Sequence, residues 1–364
     1  MQNRLQRFVD TAKKHVPRPL QPAARWGYHR LKHILVRAIP SIRYHDKMQR
    51  ELAFFSQGKD VHELPRIAHY WSNKHLVPLL RPLGFTNALE CFRAYLAQLC
   101  VRQSQCEFVS IGSGSCDAEI NMAEWLKETG HHNFQFHCLD INPTLLDQGE
   151  QTAAAHAMSK HFSFSTFDVN TWQLQQKYHA VVALQSLHHI VELEILFRKI
   201  RDCLDNDGYF FADDMIGRNG HQRWPEALDL VHKLWEELPD RYKYNHQLKR
   251  FEPKYENWDC SVERFEGIRA QDILPLLIQY FHFEVFAAFG NVIDVFIDRG
   301  FGHNFDPDSE WDRAFIDRVH ELDWKSIENG NIKPTHMIAV MRKHAVANVA
   351  ILKHLSPEFC VRRR

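Results

Sequence analysis

Three observations predict an α/β protein built on a doubly wound sheet. Apolar, β-branched runs alternate with stretches of helical period, a glycine turn joins the first such pair, and polar residues gather where the runs end. The first pair is FVSIGSGSCDAEI, Phe108 to Ile120. Phe108, Val109 and Ile111 break at Gly112 and Gly114 into a helical pattern carrying Ile120, Ala123, Trp125 and Leu126. Residues without Cβ let the backbone approach a ligand closely, and the helix amino terminus behind them attracts polar or anionic groups. Asp140 closes the next run, FQFHCLD. That places a carboxylate beside the turn, within reach of both hydroxyls of a ribose.

The remaining elements keep the same rhythm. PTLLDQGEQTAAAHAM opens with Pro143, suited to a first helical position, and HFSFSTFD is a third strand ending at Asp168. YHAVVALQSLHHI is a fourth strand and turn, VELEILFRKIRDCL a helix, and DNDGYFFADDM a turn feeding a fifth strand. Helix AQDILPLLIQYF, strand FHFEVFAAF and return strand THMIAVMRK complete the set. In parallel units of this kind the carboxyl edge of the sheet binds ligands.

A dinucleotide fingerprint requires a small third residue, and Asp117 in that place would crowd the helix and repel a pyrophosphate. The stretch Ser110-Ile111-Gly112-Ser113-Gly114-Ser115-Cys116 instead resembles the first motif of class I S-adenosylmethionine-dependent methyltransferases, an acidic residue followed by x-G-x-G-x-G. Ser110 stands where the acidic residue is usual and Cys116 where the third glycine is, so the methionine amino group is expected to find carbonyls or another side chain. The resemblance covers residues 105 to 215 and the return strand at 335 to 343. It implies a Rossmann-like sheet of seven strands, the last antiparallel between its neighbours, and S-adenosyl-L-methionine as cofactor. Ser110, Gly112 and Gly114 would line the cofactor, Asp140 with Ile141 would take the ribose, Asp168 with the Val169 amide the adenine edge, and Gln185 to His189 would lie beneath the sulfonium. It does not name an acceptor.

Composition sets further bounds. A chain of 364 residues, 45% apolar, can bury a full core. MQNRLQRFVDTAKKH carries no secretory hydrophobic region and no apolar run reaches spanning length, so a cytoplasmic protein is expected. The eight cysteines include no C-x-x-C pair, as expected of reduced thiols. Net charge is zero but uneven: residues 1–50 hold twelve Lys or Arg against Asp10 and Asp46, so 12 − 2 = +10, leaving −10 on the remainder. This arm suits packing on the chain's own acidic body, or an anionic membrane surface at the inner face, or RNA. The chain reads LQSLHH where DNA base methyltransferases carry Asn/Asp-Pro-Pro-aromatic or Pro-Cys, so nucleic acid is not the expected acceptor. The 24 histidines show no H-E-x-x-H or Cys/His spacing, so no metal site is expected; Asp213 and Asp214 are the carboxylates with the chemistry to take Mg²⁺.

The expected organisation is a basic helical arm (1–50), a helical cap (51–104), the core (105–215), a lid insertion (216–269), completion of the core (270–343) and a basic tail (344–364). Tyr70, Trp71, Asn73 and Lys74 would cap the pocket. The lid, dense in Trp, Tyr, His, Arg and Asn, suits a polar ligand. Its strings GRNGHQRW and YENWDC offer Arg218, His221, Arg223, Trp224, Asn257 and Trp258 to the acceptor, with Asp214 beside them. Methyl transfer is an in-line displacement in which the protein contributes alignment, desolvation and, for a hydroxyl acceptor, a base. His188, His189 and Asp213 are the catalytic candidates, with His221 and Asp214 as further proton acceptors. The predicted activity is O-methylation of a small polar molecule or glycan; the alternatives are a noncatalytic nucleoside-binding module and an RNA methyltransferase.

Overall fold

The computed structural model describes Tyr44 and residues 47–51, 63–168 and 176–362. The chain forms two compact units, residues 1–54 and 55–364. In the first, Tyr44 and residues 47–51 are helical, and the rest of the basic arm lies outside the described residues. The second unit holds the sheet. Its strands are β1 (Cys106–Ile111), β2 (Phe134–Asp140), β3 (Phe162–Thr166), β4 (Tyr178–Leu184), β5 (Leu204–Met215), the small hairpin β6 (Tyr244–Asn245) and β7 (Arg250–Phe251), then β8 (His282–Phe289), β9 (His336–Arg342) and β10 (Ala350–Ile351). The longer helices are α1 (Ala88–Arg102), α2 (Asp117–Glu128), α3 (Pro143–Ala155), α4 (Leu193–Cys203), α5 (Pro225–Glu237), α6 (Ala270–Tyr280) and α7 (Glu310–Glu328).

Local chemistry explains the boundaries. Asn87 caps α1, its side chain accepting from the Glu90 amide at 2.9 Å, while the Glu90 carboxylate accepts from the Thr86 amide at 2.7 Å. Asn142 caps α3 in the same way, with Pro143 in the first turn. Along α4, Leu193, Leu196, Phe197 and Ile200 recur at helical spacing and are all buried.

The sheet order is β10-β8-β9-β5-β4-β1-β2-β3. β1 to β5 pair in parallel, and β9 runs antiparallel between β5 and β8. Strand alternation sorts the core into two layers. Phe108 and Val182 face α1, α2 and α3; Val109, Ile111 and Val181 face α4 to α7. The order reverses between β1 and β4, so a crevice opens at their carboxyl ends.

The structure adds to the seven expected strands. β10 pairs in parallel with β8 through Ala350 and Ile351, so part of the expected basic tail joins the sheet. The expected DNDG turn is absorbed into β5 as a bulge: β4 advances from Tyr178 to Ala180 while β5 advances from Leu204 to Tyr209. All eight cysteines are buried and unpaired. No helix among the described residues is long and apolar enough to cross a membrane.

Candidate functional site

The glycine turn is built at the crevice between β1 and β4. Gly112 has φ +69°, and a Cβ there would meet the Ser186 Cβ at 2.6 Å, so only glycine fits against the segment after β4. The Ser186 hydroxyl donates to the Ile111 carbonyl at 2.7 Å and ties the two strand ends together. Beside Gly114 nothing lies within 4 Å of where a Cβ would stand, which leaves room for a ligand. The Asp140 carboxylate takes the Gly114 amide at 2.9 Å and the Asn142 amide at 2.8 Å. Burial pushes its pKa up, and those two amides partly offset the rise. Ile141 follows, half-buried. The Phe167 amide donates to the Asp140 carbonyl at 2.8 Å and sets Asp168 beyond β3 on the same rim, while Val169 lies outside the described residues.

Ser110 is buried, and its hydroxyl donates to the Glu119 carboxyl at 2.6 Å. Glu119, in the first turn of α2, is 2% exposed. The helix behind the turn thus brings a carboxyl against the serine at the strand end. The motif pattern, which looks for acid only at the strand position, passes over it. Burial raises its carboxyl to about 7 from an ordinary 4.5. Between those values the folded chain binds more protons than the unfolded one, so stability falls as pH rises across the window. Glu119→Gln removes that slope. Without cofactor, the variant is expected to gain up to about 3 kcal/mol on wild type between pH 4.5 and pH 8, at roughly 1.4 kcal/mol per pKa unit. Parallel melting curves across that range would rule this account out.

A second group of polar side chains sits where β4 and β5 end. Gln185 has φ +49°, an uncommon conformation for a residue with a Cβ. Its amide donates to the Asp213 carbonyl at 2.8 Å and its side chain to the Asp213 carboxylate at 3.2 Å. Asp213 and Asp214 are successive strand residues and face opposite ways. Asp213 is half-buried, and burial pushes its carboxyl up to about 6, with His336 and Gln185 opposing the rise and Asp214 adding to it.

Asp214, expected at the acceptor, is instead 0% exposed. It accepts from the amides of Ser186 at 2.9 Å, Leu187 at 2.7 Å and Met215 at 2.7 Å, and bonds the Nδ1 of His188 at 2.7 Å. The other ring nitrogen of His188 lies 3.3 Å from Glu266. Burial alone would lower the pKa of this imidazole, but Asp214 and Glu266 raise it to about 10. Glu266, a residue the sequence reading did not single out, also bonds the Nε2 of His221 at 2.7 Å and lies 3.7 Å from the Nε2 of His189. Burial pushes the Glu266 carboxyl up, yet the three histidines hold it well below the usual range. Burial lowers the pKa of His221.

The lid residues divide. The Arg223 guanidinium, expected to touch the acceptor, is buried and turned inward, donating to the His221 carbonyl at 3.0 Å and to Asp294 at 3.2 Å. Asn257 exchanges two hydrogen bonds with the Arg223 backbone, at 2.7 and 2.9 Å, and Arg218 donates to the Arg223 carbonyl at 3.1 Å. GRNGHQRW and YENWDC are therefore clamped together. Trp224 carries the Arg362 guanidinium over its ring, and Trp258 is 42% exposed. In the expected cap, Tyr70 and Lys74 bind Asp317 of α7, and Trp71 donates to His320 of the same helix.

Residues 109–210 match the family model of a methyltransferase domain. Among solved structures, the chain resembles geranyl diphosphate C-methyltransferase from Streptomyces coelicolor A3(2), at 10% identity and TM-score 0.42, over 81% of this chain and 97% of that one. It also resembles the O-methyltransferase from a trans-AT PKS multienzyme of Brevibacillus brevis in complex with S-adenosyl-L-homocysteine, at 13% identity and TM-score 0.40, over 83% and 88%. No curated protein matches the sequence. Scores this low carry no inference about the acceptor. The assignment rests on the domain match together with the glycine turn, its open space and the carboxylate at the end of β2. Residues 109–210 are a methyltransferase domain of the class I, S-adenosylmethionine-dependent kind, with S-adenosyl-L-methionine as its cofactor.

Proposed function

We propose that this enzyme methylates a hydroxyl of a small polar molecule or a glycan, with Asp213 as the base. The observation that carries the reading is Asp213 itself: a half-buried carboxyl on the ligand-binding rim, tuned to about 6, which can accept a proton at neutral pH. His188 cannot take that part, because its two ring nitrogens already face Asp214 and Glu266. S-adenosylmethionine, when bound there, would supply the methyl group for in-line transfer to the acceptor oxygen, its carbon–sulfur bond breaking to leave S-adenosylhomocysteine. The acceptor O–H bond breaks with its proton going to Asp213, and Gln185 holds that carboxylate in place. Gly112, Gly114, Asp140, Ile141 and Asp168 form the adenosine side of the pocket, and Glu119 is the carboxylate for the methionine amino group, answering the loss of acid at Ser110. The clamped lid, with Trp258 exposed, forms the acceptor side and suits the apolar faces and hydroxyls of a sugar. The +10 charge of residues 1–50 favours an anionic membrane surface, where the enzyme would sit peripherally on the inner face.

The full chain, incubated with methyl-labelled cofactor and fractionated cell extract, is expected to label a small-molecule or glycan fraction. Label in RNA would replace the acceptor. Micromolar cofactor binding without label in any fraction would leave a nucleoside-binding module.

A further inference from the structure

We infer that the lid and the end of β4 together form a binding site for a divalent transition metal, Zn²⁺ or a close relative, ligated by His188, His221 and Glu266. One ligand atom from each lies within 4.8 Å of the other two. The sequence hides the site, because its members come from the turn after β4, the turn Asn219–His221 and the segment before α6. The two histidines are held in place by their surroundings. Asp214 takes the Nδ1 side of His188 at 2.7 Å, which presents Nε2 to the site, the carboxylate–histidine arrangement that orients metal ligands. His221 adopts φ +53°, a left-handed conformation uncommon in a residue with a Cβ. Gly267 makes room for it, since a Cβ there would come within 3.1 Å of the His221 ring and amide. The Glu266 carboxylate lies 3.3 Å from the His188 Nε2 and 2.7 Å from the His221 Nε2.

Charge agrees with geometry. Two carboxylates, Asp214 and Glu266, flank His188, and a dication bound beside them would balance their charge. Two imidazoles and one carboxylate suit Zn²⁺ or Fe²⁺ with a coordination position left open, whereas Mg²⁺ favours oxygen ligands and Asp214 is already engaged by amides and His188. The coordination stands on geometry alone. Only its use, lowering the pKa of an acceptor hydroxyl in the open position, rests on the O-methyl transfer proposed above.

The test uses the full chain, stripped with a chelator and titrated with Co²⁺, whose visible absorption reports low-coordinate nitrogen and oxygen ligation. Wild type is expected to saturate at one equivalent and to lose the bands when Zn²⁺ is added. His221→Ala and Glu266→Gln should abolish them, Asp214→Asn should weaken binding roughly 10- to 100-fold, and His303→Ala, an exposed histidine, should change nothing. Calorimetry with S-adenosylhomocysteine on the same samples confirms that each variant is folded. Wild type that binds this product but no cobalt, or bands that persist in both ligand variants, overturns the metal site and leaves the methyltransferase reading intact. Cobalt binding without product binding upholds the site and fails that reading.

Discussion

Asp213→Asn is expected to lower kcat for methyl transfer by roughly 10²- to 10⁴-fold, the usual contribution of a positioned general base, with cofactor affinity changed by less than about twofold. An amide has nearly the size of the carboxylate and still accepts from Gln185, so the change removes a proton acceptor and little else. Because a general base works only when ionised, on this proposal wild-type kcat/KM should climb with pH through about 6 and then level, and the variant should lack that rise. The groups that set this value are His336 and Gln185, which pull it down, and burial and Asp214, which push it up. Wild-type turnover in Asp213→Asn would move the proton to His189 or His221.

Its neighbour should behave in the opposite way. Asp214→Ala is expected to destabilise the chain by roughly 3 to 5 kcal/mol, the cost of removing one partner from a buried charge pair, as measured by urea unfolding without cofactor or metal. Four groups lose their acceptor at once: the amides of Ser186, Leu187 and Met215 and the His188 ring. The residue is 0% exposed, so water cannot take over. Unchanged stability would mean that these donors find other partners. One residue along β5 would thus separate a kinetic effect from a structural one, because successive strand side chains point to opposite faces.

That alternation is visible in the sequence, as are the order of strands and helices and the glycine turn, because each depends on short-range periodicity. Two features are not. The acid missing at Ser110 returns nine residues later on α2, which becomes apparent only when the helix folds back over β1 and brings Glu119 against the serine hydroxyl. The meeting of His188, His221 and Glu266 depends on an irregular lid whose path no periodicity encodes, and none of the three spacings matches a local metal motif. Arg223 and Asn257 carry the residue types of a binding surface, yet their hydrogen bonds are spent joining two stretches of lid. Composition identifies such groups without saying which way they face.

β10, only Ala350 and Ile351, has a consequence out of proportion to its length. Without it, β8 would border solvent and present unsatisfied amides and carbonyls at Val285 and Phe286, a template for another chain. Shortening the chain ahead of these two residues would therefore uncover a pairing border at β8, the far side of the sheet from the crevice between β1 and β4.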